Sequence, residues 1–256
     1  MGIVNVTTDS FSDGGLFLEE TRAIDHGLRL REEGAGLVDI GGESTRPGAA
    51  PVPLDEELRR VIPVVSALAR EGVPVSVDTM KPEVMRAAID AGCAMVNDVN
   101  AFRAEGAIGA VAGTGVAVCV MHMRGEPATM QAAPRYDDVV AEVCAFLRER
   151  SAALLAAGVA RESLVVDPGF GFGKTFEHNV ALFKALPRIA ALGHPVLVGL
   201  SRKRMVGELT GRPVGERLAG SVAAALLAVQ NGASLVRVHD VKETVDALKT
   251  WMALKT

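Results

Sequence analysis

The sequence predicts one α/β domain over residues 1–256, folded as a closed (β/α)8 barrel. Three observations lead there. The chain has 256 residues, close to the roughly 250 that eight βα units need. Short β-branched runs alternate with longer amphipathic segments along the whole length. No linker or compositional break interrupts the alternation, as one parallel sheet requires.

The predicted strands are residues 2–6, 37–40, 73–77, 94–97, 116–121, 164–166, 195–199 and 235–238. Most are continuous apolar runs rather than alternating ones, the pattern of parallel strands covered on both faces. Helical periodicity covers residues 19–33, 54–70, 82–91, 106–112, 137–157, 179–192, 215–231 and 241–254. Four helix-to-strand joints carry a glycine before a small residue: Glu33-Gly34-Ala35, Ala91-Gly92-Cys93, Ala157-Gly158-Val159 and Asn231-Gly232-Ala233. Glycine past the last helical turn adopts the left-handed conformation without a Cβ clash. Eight units favour closure; an open doubly wound sheet is the alternative.

Hydrophobic residues make up 49% of the chain and aromatic ones only 4%, so the core must be aliphatic. A net charge of −4 gives no basic field for nucleic acid or an anionic membrane. Any anionic substrate must therefore be held by a few local cations. Cys93, Cys119 and Cys144 sit in apolar segments without zinc-type spacing and read as buried thiols of a reducing compartment. No export signal or uncharged apolar run long enough to span a bilayer is visible, and a cytoplasmic location is expected.

Polar residues collect where the apolar runs end. They are Asn5-Val6-Thr7, Asp39 with Glu43-Ser44-Thr45-Arg46, Asp78-Thr79, Asn97-Asp98, His122, Asp167-Pro168-Gly169, Ser201-Arg202-Lys203 and Arg237-Val238-His239-Asp240. In a parallel barrel these strand ends converge on one mouth, where the chemistry sits. The opposite joints carry mostly Gly, Ala, Val and Pro. Asp78 reads either as a helix cap or as a ligand group, with Thr79 able to cap instead. An unpaired Asn97 amide inside a strand would cost about 1–3 kcal/mol, so a ligand-facing amide is the economical reading. Arg237 and His239 are two residues apart and share a strand face. With Asn5 they form an anion pocket, unless Arg237 makes a salt bridge to a neighbouring carboxylate. His122 ends the fifth run, as a ligand contact or a buried ring, while His26, His178 and His194 read as structural or solvated.

The run Gly169-Phe170-Gly171-Phe172-Gly173-Lys174-Thr175 mimics a phosphate loop, but Pro168 occupies the first glycine position. A dinucleotide fingerprint fails too, because Lys174 replaces its third glycine. The run is expected to be a flexible loop that bears aromatics.

Eight segments resemble the dihydropteroate synthases, a pterin-binding TIM-barrel family. They are residues 1–15 (MGIVNVTTDSFSDGG), 39–48 (DIGGESTRPG), 77–81 (VDTMK), 97–103 (NDVNAFR), 120–123 (VMHM), 167–174 (DPGFGFGK), 199–203 (GLSRK) and 237–241 (RVHDV). They run in order along essentially the whole chain. The resemblance implies condensation of (7,8-dihydropterin-6-yl)methyl diphosphate with p-aminobenzoate, giving 7,8-dihydropteroate and pyrophosphate in folate biosynthesis. It implies a pterin set of Asp78, Asn97, Asp167 and Lys203, with Met121, Gly171 and Phe172 against the ring. Asn5, Thr45, Arg46, Arg237 and His239 are implied for the diphosphate, with Asn5 also holding Mg2+. Phe11, Pro47, Ser201 and Lys203 are implied for p-aminobenzoate, and Asp78, Asp167, Lys203, Arg237 and His239 for catalysis. The family's reaction begins by ionisation, so the loops 7–15 and 43–50 are expected to exclude water. A homodimer through the later helices is also implied, and the apolar stretch SVAAALLAV fits it, as it would fit any barrel helix.

Three departures stand out. Thr8 replaces the family's proline, which relaxes the first loop. Arg204 follows Lys203 where a smaller residue is usual. The sequence opens on the first strand, without the hairpin with which relatives cover the barrel base, which reads either as a natural absence or as a trimmed N-terminus. Two other functions use the same residues: a methyltetrahydrofolate-dependent methyltransferase, which shares the pterin-facing Asp and Asn but releases no diphosphate, and a catalytically silent pterin-binding subunit.

Overall fold

The computed structural model describes residues 1–6, 13–45, 49–127 and 129–255. Its elements alternate as β1 (Gly2–Asn5), α1 (Asp13–Glu32), β2 (Val38–Gly41), α2 (Leu54–Arg70), β3 (Val75–Asp78), α3 (Pro82–Asp90), β4 (Met95–Asp98) and α4 (Ala107–Val111). There follow β5 (Ala117–Met121), α5 (Val139–Ala156), β6 (Leu164–Asp167), α6 (Phe176–Lys184), α7 (Leu186–Ala190) and β7 (Leu197–Val198). The chain finishes through α8 (Arg204–Thr210), α9 (Leu218–Gln230), β8 (Leu235–Val236) and α10 (Val241–Leu254).

Strands β1 to β6 pair in chain order, all parallel, and β7 pairs β8. Two single bridges join these sheets into a ring, Val166 with Val196 and Gly2 with Val238. The second carries two backbone bonds, Ile3 N–H to Val238 O at 3.1 Å and Val238 N–H to Met1 O at 2.9 Å. Closure leaves no exposed sheet edge among the described strands, which rules out the open sheet.

Strand residues divide by parity. Val38, Ile40, Val75, Val77, Val118, Val120 and Val166 join Leu68, Val84, Leu147 and Leu186 in the large core between sheet and helices. Met95, Cys119, Val165 and Leu197 form a separate cluster with Met1 and Leu235, the plug inside the barrel. Consecutive strand residues point to opposite faces, so the same alternation lifts the next inward residues to the mouth.

Many element boundaries shift from the sequence expectation by one to three residues, and three differences go further. Helix α1 begins at Asp13, running through Gly14 and Gly15, whose helical cost of roughly 0.5–1 kcal/mol each reads as loop from sequence. The segment 179–192 is two helices, because Pro187 supplies no amide to continue the first. Helix α8 carries no clear apolar period and ends at Gly211, φ +68°.

Two helical glycines separate propensity from packing. A Cβ on Gly27 would stand 2.6 Å from Cδ1 of the fully buried Leu68, whereas one on the exposed Gly109 meets nothing within 4 Å. Gly27→Ala is expected to lower unfolding free energy by about 1 kcal/mol, overpacking outweighing the gain in helix propensity. Gly109→Ala should raise it by about 0.5–1 kcal/mol. Urea titration reads both; equal signs for the two changes contradict the packing of α1 on α2.

Candidate active site

Strand register decides which side chains meet. Asn5, Gly41, Asp78 and Asn97 pair in one row across β1 to β4, and Met121 pairs Asp167 on β5 and β6. Gly41 leaves the row open: a Cβ there would lie 3.7 Å from Asp78 Cβ and 4.0 Å from Asn5 Oδ1. One step deeper, Asp39 pairs Ser76 and is fully buried.

Arg237 arrives from the end of β8 and connects the rows. Its Nε donates to Asp39 Oδ2 at 2.6 Å and its Nη2 to Asp78 Oδ2 at 3.0 Å. The salt bridge considered from sequence is thus present, and doubled. These bonds engage two of the five guanidinium N–H donors, so pairing does not exhaust the group. The Asn97 amide reaches Asp39 Oδ2 only at 3.5 Å, the limit of a hydrogen bond. Burial pushes the Asp78 carboxyl up to about 7, against the pull of Arg237, with Asp39 adding to the rise. Burial likewise raises Asp167, opposed by Lys203. Oδ1 of Asp39 and Oδ1 of Asp78 are buried without a hydrogen-bond partner among the described residues. An orphaned buried acceptor costs about 1–3 kcal/mol, so the chemistry of the pair suits ligand N–H groups.

Across the mouth, Asp167 Oδ1 accepts from the Gly169 amide at 2.7 Å. Lys203 Nζ donates to Phe170 O at 2.7 Å and lies 4.7 Å from the centroid of the Phe172 ring. Burial lowers its ammonium to about 8, although Asp167 pulls the other way. Met121 and Phe172 share an apolar cluster with Val99, Met123 and Met130, a flat wall beside the carboxylates. Ser201 Oγ and His239 Nδ1 are 3.0 Å apart, and the His239 amide donates to the same hydroxyl at 3.1 Å.

Other expectations change. His122 faces away from the mouth, edge-on to Phe146 at 4.9 Å and in contact with Lys174, and burial lowers it to about 3. Neither Asp78 nor Thr79 caps α3, whose N-cap is Lys81 with Pro82 following. Asp98 serves its own loop, accepting from the amides of Asn100 and Phe102 at 2.7 and 2.6 Å. Arg204 runs along α8 to Glu208 at 2.6 Å. Residues 169–174 are pinned by hydrogen bonds rather than flexible. Thr45 is half-buried beyond β2, while Phe11, Arg46, Pro47 and Thr8 lie outside the described residues.

With this geometry in view, the family is clear. The model of the pterin-binding enzymes matches residues 1–239. Dihydropteroate synthase of Escherichia coli (strain K12) is 51% identical over 250 residues, 97% of this chain and 89% of the relative. The structure of Xanthomonas albilineans dihydropteroate synthase with 4-aminobenzoic acid is 60% identical, with a TM-score of 0.92 over 99% of this chain and 91% of that one. The same enzyme with 7,8-dihydropteroate superposes at a TM-score of 0.89 over 99% of this chain and 92% of that one, at 58% identity. This chain belongs to the dihydropteroate synthases.

Sequence reasoning left three buried residues without a role. Asp39 is the carboxylate inside an otherwise apolar strand, a placement that alone marks it for a partner. Glu57 is a carboxylate on the buried face of α2, where it accepts from Thr79 Oγ1 at 2.5 Å and pairs with Lys81. Lys174, rejected with the phosphate-loop reading, is 3% exposed.

The raised Asp78 carboxyl has a consequence for stability. Between about pH 4 and pH 7 the folded protein holds this proton and the unfolded chain has lost it, so the Asp78 contribution to stability falls as pH rises. Asparagine has no such proton. The melting temperature of Asp78→Asn relative to the parent should therefore climb from pH 4 to pH 7 and level off above. A flat difference across that window contradicts the assigned environment.

Proposed function

We propose that this chain condenses (7,8-dihydropterin-6-yl)methyl diphosphate with p-aminobenzoate, releasing pyrophosphate and 7,8-dihydropteroate. One observation supports it above the others: buried carboxylates with unmet acceptors share a mouth with cations and an apolar wall. A pterin edge offers an amino group and a ring N–H, a donor pair for Asp78 or Asp167, with Asn97 alongside. Met121, Gly171 and Phe172 supply the flat contact. Relatives seated on 4-aminobenzoic acid and on 7,8-dihydropteroate fit this assignment.

The reaction exchanges a C–O for a C–N bond. Diphosphate departs with the bonding pair, positive charge spreads from the methylene into the ring, and the amine nitrogen then donates its pair and loses a proton. Asp39, Asp78 and Asp167 outnumber Arg237 and Lys203 by one negative charge when all are ionised, which suits a ring that becomes cationic. The remaining N–H donors of Arg237, His239, Thr45 and Arg46 are assigned to the diphosphate. Ser201 and Lys203 face the aminobenzoate, with Phe11 and Pro47 completing that subsite.

No group of three or more His, Cys, Asp or Glu able to hold a metal occurs among the described residues. Asn5 instead presents one neutral amide oxygen at an exposed strand end. That fits Mg2+, which keeps water and phosphate oxygens as most of its ligands; when bound it would neutralise charge on the leaving diphosphate.

A homodimer is proposed through α9 and α10, which carry the exposed apolar side chains Leu218, Leu227, Met252 and Leu254. No helix among the described residues is long and apolar enough to cross a membrane, and the free cysteines are buried, in keeping with a cytoplasmic enzyme.

Mixing the chain with both substrates and Mg2+ should release pyrophosphate in step with dihydropteroate; binding without release contradicts the assignment. Asp167→Asn, which sets a donor against a donor, should weaken pterin binding by roughly 1–3 kcal/mol, about 5- to 150-fold. Calorimetry with unchanged affinity removes Asp167 from the pterin set.

A further inference from the structure

The segment from Gly169 to Gly173 has a hydrogen-bond donor on every carbonyl. Gly169 O and Phe172 O accept from Lys174 Nζ at 2.9 and 3.0 Å. Phe170 O accepts from Lys203 at 2.7 Å, Gly171 O from Gln131, and Gly173 O from the Tyr136 hydroxyl at 2.8 Å. The Gly171 amide donates to Asn179 Oδ1 at 2.8 Å, and the Phe172 amide to Gly169 O at 3.1 Å.

Lys174 is the centre of this arrangement. Its Nζ also meets His122 Nδ1 at 2.9 Å and His122 O at 3.2 Å, so it joins the turn after β6 to the exit of β5. The described contacts include no carboxylate on this amine; its partners are carbonyls and an imidazole. The backbone is built for the approach. Gly169 and Gly173 take φ of +69° and +62°, and a Cβ on either would collide with the carbonyl of His122 or Arg124 respectively. A fully buried lysine with four acceptors for three protons suits holding a turn in place. Phe172 and Asp167 sit at either end of that turn, and both face the mouth.

Resting on the pterin reading above, we infer that Lys174 is a positioning residue, which fixes the turn that holds the Phe172 ring and the Asp167 carboxylate at the pterin end of the site. It acts through those two groups and touches no reacting atom.

Lys174→Met keeps the aliphatic stem and removes the donor. The Michaelis constant for the pterin diphosphate should rise at least tenfold, that for p-aminobenzoate less, and kcat should fall under threefold. Hydrogen exchange at the Phe172 and Gly171 amides should accelerate at least tenfold. Leu30→Ala, a core change on α1, supplies the control for general destabilisation and should leave the pterin constant and those two amides unchanged. If Lys174→Met does not fold, His122→Ala removes one anchor and should produce the same pattern at smaller amplitude. A parent-like pterin constant or parent-like amide exchange in the folded variant overturns the inference. A parent protein that does not turn over these substrates overturns the proposed function instead, and amide exchange then decides the role of Lys174 by itself.

Discussion

A guanidinium held between two buried carboxylates ties the last strand of this barrel to its second and third. Arg237 reaches Asp39 and Asp78 from positions far apart in the chain, and the contact exists only because the ring closes. Each partner depends on the others. Removing the arginine would strand two carboxylates in low dielectric, a loss of about 3–5 kcal/mol for a broken buried pair. The arrangement is therefore poor as a device for stability and good as a device for chemistry. It holds charges in place before a ligand arrives, so little reorganisation remains for the reaction.

The network also explains how one mouth can carry opposite tasks. The Arg237 guanidinium remains cationic, since Asp39 and Asp78 raise its affinity for the proton despite burial. Asp78, by contrast, is poised near neutrality, so an incoming donor or cation completes its ionisation. Across the barrel, burial depresses the Lys203 ammonium and raises the Asp167 carboxyl, and the charge of each opposes the other's shift. Paired groups whose environments push them toward neutral pH are characteristic of functional sites. Below the mouth, Met95, Cys119, Val165 and Leu197 fill the barrel and keep water from reaching the carboxylates from underneath.

The turn after β6 shows how the scaffold shapes the site. Its glycine spacing resembles a nucleotide loop, yet its amides do not converge on an anion. Three of its five carbonyls accept from Lys174 and Lys203, the reverse polarity of a phosphate cradle. A motif match can thus have the right spacing and the opposite chemistry, because backbone direction depends on dihedral angles that glycine leaves open.

By itself the sequence determined the unit count, the parallel sheet and the end of the barrel that carries polar groups. These follow from local rules: apolar runs of strand length, left-handed glycines after helices, and hydrophobicity that stops where a strand leaves the core. It also determined that Asp78, Asn97, Asp167, Lys203 and Arg237 belong to one rim. Only the tertiary structure decided how those residues pair. Asp39 and Arg237 lie 198 residues apart, and their contact depends on register and closure, which no local pattern encodes. The same holds for His122, which parity turns toward α5, and for Lys174, whose burial is set by three elements at once. Helix ends and glycine turns are decided within a few residues, whereas charge networks wait for the ring to close.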